Sequence, residues 1–317
     1  MQNFFHTLTH RAYTVRFLPL ILKKVFVEIL HTFNRLFLEP IKPNQITNTS
    51  FNFKLSVSPD NGANYYYNGS YEIGTLEVMK NCLKKGDILV DVGASVGFLS
   101  IFGRTIVGTT GKVLCFEPSK NRFRDLMKSI SINEYENVIA NNVALGDEKG
   151  EIYLVESGDG GYLSSIPPLF QPIYTTLLKK KHLDIYSSKD HSKKGYSVEQ
   201  TTLDKYLLEN NITKVHFIKI DVEGYEINVL KGAKSILSGK DAPIISVEIG
   251  KRNIKTGIFE FLKNINEYEF FRLKHTKKFL STLKKFHNIN NRWSGSDDNI
   301  FCLLPHHIKK ISKDILD

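Results

Sequence analysis

The stretch Ile88-Leu89-Val90-Asp91-Val92-Gly93-Ala94-Ser95-Val96-Gly97-Phe98 decides the fold class of this chain. Ile88 to Val92 is a short apolar run, as expected of a strand buried on both faces. Gly93 to Gly97 reads as a tight turn, and Phe98 to Val107 as the helix that follows it. The same alternation recurs downstream. Lys112 to Phe116 reads as a second strand, Ser119 to Ile132 as a helix, Val138 to Leu145 as a third strand and Glu151 to Val155 as a further one. Thr202 to Asn210 reads as a helix, Val215 to Ile220 as a strand, Ile227 to Leu237 as one helix and Ile244 to Ile249 as a strand. Gly257 to Asn264 reads as a helix, and Tyr268 to Leu273 with Ile300 to Leu303 as a final strand pair. Repeated strand–helix order requires a mostly parallel sheet with helices on both faces. We therefore expect an α/β, Rossmann-like fold with a C-terminal antiparallel strand pair.

In such sheets ligands bind beyond the carboxyl ends of the strands. The turn after the first strand has the spacing G-x-x-x-G and not the G-x-G-x-x-G of dinucleotide binders, which argues against a cradled pyrophosphate. Its glycines permit a sharp turn, and the helix start behind it offers amide groups. Asp91 places a carboxylate at the strand end, suited to a cationic ligand group such as the amino-acid end of S-adenosylmethionine (SAM). The bland alternative is a structural corner. Glu117, 26 residues after Asp91, ends the second strand, where a carboxylate can accept from two ribose hydroxyls. Asn141 to Asp147 supplies amides where an adenine edge would lie. The fourth strand runs into Asp221-Val222-Glu223-Gly224, and the fifth ends at Glu248. Carboxylates at strand tips cost desolvation and are seldom there for stability, although a helix-start role for the acidic pair stays open.

Taken together, Val90-Asp91-Val92-Gly93-Ala94-Ser95-Val96-Gly97-Phe98, Phe116-Glu117-Pro118, Asn142-Val143-Ala144-Leu145-Gly146-Asp147, Thr202-Leu203-Asp204 and Ile218-Lys219-Ile220-Asp221-Val222-Glu223-Gly224 resemble the FkbM-type methyltransferases. The resemblance runs over roughly residues 70–303 and includes Asn299-Ile300-Phe301. It implies SAM as cofactor and O-methylation of a sugar, glycolipid or other small-molecule acceptor. By this match Asp91, Gly93, Gly97 and Glu117 would hold the cofactor, and Ala94, Ser95, Asn142 and Val143, in the same turns, complete the expected cofactor site. Asp221 and Glu223 would lie beside the transferred methyl, and Glu248, on the same rim of strand ends, is the next candidate of the catalytic set; no metal is expected. Position 95 is Ser where the family often has Asn.

Composition is that of a folded soluble protein: 41% hydrophobic and 24% charged residues give a sizeable core. The three cysteines, Cys82, Cys115 and Cys302, are too few and too scattered for a disulfide framework, as in a reducing, cytoplasmic protein. The net charge of +10 sits outside the central region. Residues 1–50 hold six Lys/Arg against two acids, and residues 251–292 eleven against three. A positive field favours anionic partners, so a nucleic-acid methyltransferase is one alternative. No base-flipping motif follows the fourth strand, and aromatics are not interleaved with the basic stretch, so nucleic acid is disfavoured. A nucleotide-dependent oxidoreductase or a non-catalytic SAM-binding module is the other alternative. We read residues 1–45 as a helical extension, 46–305 as the catalytic domain and 306–317 as a tail. Residues 20–38 carry an apolar stripe with Lys23, Lys24 and Arg35 beside it. That stripe fits either packing on the core or peripheral contact with a membrane. Residues 157–197 lack a clear period and read as a lid or substrate loop.

Overall fold

The computed structural model describes residues 41–59, 62, 65–66, 69, 71–157, 160–164, 195–250, 256–275, 281–286, 298–311 and 315–316. The expected helix at 20–38, most of the 157–197 connection and much of the Lys-rich 274–292 stretch lie outside these residues.

A hairpin of β1 (Gln45–Asn48) and β2 (Lys54–Val57) enters the fold, followed by α1 (Ile73–Cys82). Then come β3 (Ile88–Val92), α2 (Phe98–Val107), β4 (Lys112–Phe116), α3 (Lys120–Ile132) and β5 (Val138–Asn141). Next are β6 (Ala144–Leu145), β7 (Gly150–Ser157), β8 (Gly160–Ser164), β9 (Tyr196–Thr201) and α4 (Leu203–Glu209). The chain continues through β10 (Phe217–Ile220), α5 (Glu226–Lys231), α6 (Lys234–Ser238), β11 (Ile244–Ile249) and α7 (Ile258–Ile265). It ends in β12 (Glu269–His275), β13 (Ser281–Phe286), β14 (Asp298–Leu303) and the short α8 (Pro305–Ile308).

The main sheet has the order β13-β12-β14-β11-β10-β3-β4-β5. Strands β11, β10, β3, β4 and β5 are mutually parallel, and β14, β12 and β13 are antiparallel additions. The central strands are buried on both faces, so alternate residues feed two cores. Leu89, Phe217 and Ile244 pack on one side with Leu76, Met79, Phe98, Ile101 and Leu126 of α1, α2 and α3. Val90, Ile218 and Ile245 pack on the other with Leu203, Val229, Leu237 and Leu262 of α4 to α7. The chain winds outward from β3 to β4 and β5, then returns to β3's other edge with β10. Strand order therefore reverses between β3 and β10, and this switch point opens a crevice at their carboxyl ends.

Four readings from sequence need correction. The expected strand 138–145 is two strands: β5 stays in the main sheet, and β6 leaves it to pair with β9 in a second sheet ordered β6-β9-β7-β8. The expected helix 227–237 is broken into α5 and α6. A Cβ on Gly232 would lie 1.8 Å from the carbonyl oxygen of Gly146, so the two segments touch backbone to backbone at the break. The Asp204 carboxylate then accepts from the amides of Ser235 (2.6 Å) and Ile236 (3.0 Å), supplying the second helix with its start. The C-terminal strand pair, β12 with β14, is extended by β13, which lies inside the Lys-rich insertion and pairs with β12. The fourth strand starts later than its apolar run, at Phe217 instead of Val215.

Candidate active site

The turn after β3 has the strained geometry its glycines suggested. Gly93, Ser95 and Gly97 all adopt positive φ (80°, 52° and 91°). Four of its five amides, however, are occupied within the protein. Those of Gly93 and Ala94 donate to the Phe116 carbonyl (2.9 and 3.1 Å), that of Gly97 to the Ala94 carbonyl (2.9 Å). The Ser95 amide donates to Glu117 Oε2 at 2.8 Å. The turn thus offers a ligand its shape more than a ring of free donors.

Glu117 is buried, and its other oxygen accepts from the Ser119 amide at 2.9 Å. Burial pushes its carboxyl above the ordinary range, with Arg122 and the two amides opposing. Each carboxylate oxygen has a second lone pair, so the group can accept from two further hydroxyls while fixed by the backbone. Asn142 donates from Nδ2 to the carbonyls of Glu117 (2.8 Å) and Pro118 (3.1 Å), locking the same turn. Its side chain is thereby a brace for Glu117. Val143 is half-buried against the second core.

The main polar cluster lies one strand over. Strand alternation places Asp91, Lys219, Asp221, Ser246, Glu248 and Asn299 on the sheet face that carries Leu89, Phe217, Ile244 and Phe301. Lys219 is 3% exposed in an otherwise apolar strand, and its Nζ lies 2.8 Å from Asp221 Oδ2. Burial alone would lower its pKa, but Asp221, Glu72 and Asp91 hold it well above the ordinary value. Burial likewise opposes ionisation of Asp221, yet the charge of Lys219 and its hydrogen bond hold that carboxyl below its usual value. Glu248 hydrogen-bonds Asp221, and burial together with the Asp221 charge pushes it up to about 9. At neutral pH the pair is one carboxylate, Asp221, accepting from one carboxylic acid, Glu248.

Glu223 stands beside them at φ 57°, in a turn with Gly224 at φ 111°. Glu226, fully buried, holds that turn by accepting from the amides of Val222 (3.3 Å) and Gly224 (2.9 Å). The last of the three acids in the 221–226 run, Glu226, is thus structural.

Two charged members of this cluster, Lys219 and Glu72, escaped the sequence reading. Lys219 was legible as a charge inside Phe217-Ile218-Lys219-Ile220, because a lone cation in an apolar strand needs a partner. Glu72 carried no such signal, since no periodicity surrounds it. Among the described residues, Glu72 Oε2, Thr75 Oγ1, Asp91 Oδ1, Ser246 Oγ and Asn299 Oδ1 are buried without a hydrogen-bond partner. Native interiors leave few such atoms, and these lie on the sheet face at the switch point or on α1, which covers it. The chemistry of the set, carboxylates with hydrogen-bonding oxygens beside Glu117, whose remaining lone pairs could take two ribose hydroxyls, fits a cationic nucleoside such as SAM.

The family model of the methyltransferase FkbM domain matches residues 91–275, more than half of the 317 residues. The chain belongs to the FkbM methyltransferase family. The matched region begins at Asp91 and takes in the Gly93–Gly97 turn, Glu117, Asp221 and Glu248. Among solved structures, the chain is similar to an FkbM methyltransferase from Methylobacillus flagellatus KT, with 14% identity and a TM-score of 0.41. That match covers 76% of this chain and 52% of the other, so the FkbM chain described here spans about half of that relative's length. It is also similar to Aeropyrum pernix fibrillarin with natively bound SAM (12% identity, 85% and 86% coverage, TM-score 0.36). A SAM-dependent O-methyltransferase from Thermotoga maritima matches at 13% identity, 85% and 80% coverage and a TM-score of 0.35. No curated protein matches the chain. Among the described residues no helix is long and apolar enough to cross a membrane.

Proposed function

We propose that this FkbM-family protein transfers the methyl group of SAM to a hydroxyl of a sugar, glycolipid or other small-molecule acceptor. The observation that carries the reading is Asp221, held ionised by Lys219 at the tip of β10 and pressed against the Gly93 turn. Asp91, the Gly93–Gly97 turn and Glu117 would hold the donor, with Asn142 bracing Glu117. SAM supplies an already activated methyl group, so positioning provides much of the catalysis.

A hydroxyl that takes a methyl group becomes strongly acidic as the new bond forms. The base that receives its proton therefore does not need a high pKa, and an ion-paired carboxylate suffices. Asp221 is our choice for that group. Glu248 is protonated in the same pH range and serves as a donor that orients Asp221, while Glu223 lines the rim.

A methyl-transfer screen over glycans, lipids and RNA, read by mass spectrometry, tests the activity and the acceptor class together. On the acceptor found, Asp221→Asn is expected to lower turnover by about 10²-fold or more and to leave SAM affinity within a few-fold. Collapse of SAM binding in that variant would make Asp221 a donor ligand instead.

A further inference from the structure

Glu72 lies outside the matched domain, at the start of α1, and nothing so far gives it a task. Its backbone is left-handed (φ 45°, ψ 49°), a conformation that a glutamate adopts at a cost. It occupies the N-cap of α1, yet its side chain makes no capping hydrogen bond. Helix starts normally recruit a nearby carboxylate, so the strain is not repaid by the helix. Tyr71 and Thr75 are hydrogen-bonding neighbours of the carboxyl, yet its Oε2 is buried with no partner in good geometry among the described residues.

The surroundings indicate what the carboxylate faces. The charges acting on it most strongly are those of Lys219 and Asp221, and burial raises its pKa. Lys219 is already held by Asp221 at 2.8 Å. Asp91, on the neighbouring strand, is 1% exposed and keeps Oδ1 unpartnered while Oδ2 accepts from the Ser100 hydroxyl. Among the described residues, Lys219 is the cation in direct contact with this group of carboxyls, Glu72, Asp91, Asp221 and Glu248, with Glu223 beside them. Two of these, Glu72 and Asp91, have a buried oxygen left over. Both are buried acceptors that lack a donor, which the N–H groups of a bound cation would supply.

Its position in the crevice narrows the choice. Glu117, the Gly93 turn and Asp221 follow one another across β4, β3 and β10. A nucleoside with its ribose at Glu117 extends its far end over β3 towards β10, where Glu72 stands. On the SAM reading given above, on which this inference rests, that far end is the methionyl group with its α-ammonium. We propose that Glu72 is a donor-binding residue that receives this ammonium, supplied by the entry segment and not by the matched domain.

Calorimetric titration of the full chain with three probes tests this: SAM, S-adenosylhomocysteine, and 5′-methylthioadenosine, which lacks the amino-acid end. Glu72→Gln keeps the shape and removes the charge. It is expected to weaken SAM and S-adenosylhomocysteine alike, by about tenfold or more, as for loss of a charged hydrogen bond. Methylthioadenosine affinity should stay within about twofold, and the ligand-free melting temperature should hold or rise because a carboxyl with a buried, unpartnered oxygen is gone. Loss of SAM affinity alone would place Glu72 at the sulfonium and overturn the proposal. Unchanged affinities, a uniform loss for all three probes, or failure of the variant to fold would each overturn it as well. If the unaltered protein binds no SAM, the donor reading itself has failed, and that outcome is visible before any variant is made.

Discussion

The carbonyl oxygen of Asp221 lies 1.9 Å from the position a Cβ would take on residue 93. The turns after β3 and β10 are therefore in backbone contact across the switch point, and only glycine permits it. Gly93 also sits at φ 80°, a region other residues enter with strain. Gly93→Ala should push the two turns apart and destabilise the fold by roughly 2–4 kcal/mol, combining strain with overpacking. Urea denaturation gives the loss directly. A midpoint equal to that of the unaltered protein would mean that the turns separate freely and that their contact does not shape the site.

Glu117 connects three segments: the Gly93–Gly97 turn through Ser95, the start of α3 through Ser119, and the 141–142 turn through its own carbonyl. Glu117→Ala should weaken SAM by about 1.5–3 kcal/mol if the carboxylate binds the ribose, the usual value of hydrogen bonds to a charged group. Titration of 5′-methylthioadenosine should report the same loss, since that nucleoside keeps the ribose. Unaltered affinity for both would confine Glu117 to bracing the turns.

The sheet was legible because β3, β4 and β11 are short apolar runs bounded by turn residues, and the structure gives them the limits read from sequence. The carboxylates Asp91, Glu117, Asp221 and Glu248 were legible for a related reason: charge at the end of such a run is expensive unless something uses it. Contacts between distant segments were not legible. Gly232 looks like any helix residue until Gly146 is found against it, and the break between α5 and α6 follows from that contact. Asn142 to Leu145 continues the apolar pattern of β5, but the sheet edge lies at β5 and the chain turns away to pair with β9. Roles within the acidic cluster also depend on packing. Three carboxyl groups, Asp221, Glu248 and Glu226, become an ion-paired carboxylate, a neutral donor and a turn brace only through the positions of Lys219, Asp221 and the 222–224 amides.

Lys219 holds the cluster together electrostatically. Removing one partner of a buried pair leaves the other charge uncompensated, which costs about 3–5 kcal/mol. Lys219→Met retains most of the side-chain volume and leaves Asp221 beside three other carboxyl groups. We expect a loss of that size at neutral pH, with partial recovery in acid as Asp221 becomes protonated. The slope of stability against pH should be read by chemical denaturation. An equally stable variant with no recovery in acid would mean that the Lys219–Asp221 pair is dispensable.

Glu248 gives the protein a pH dependence whose sign follows from its burial. Its carboxyl is raised from an ordinary 4.5 to about 9. A group that holds its proton more tightly folded than unfolded contributes its full stabilisation below the unfolded value, and loses it as pH climbs through the folded value. The window is therefore pH 4.5 to about 9, with stability falling as pH rises. Raised values at Glu72, Asp91 and Glu117 act in the same direction, while the lowered value at Asp221 acts in the opposite one. The net curve alone cannot isolate Glu248, but a variant can. Glu248→Gln still offers Asp221 a hydrogen-bond donor, now one that cannot ionise. The variant should lose less stability than the unaltered protein between pH 5 and 9, and the two should converge at the acid end. Paired melting curves across that range measure the difference. Parallel curves would show that Glu248 ionises normally, and Asp221 would then face a second charged carboxylate and not a neutral donor.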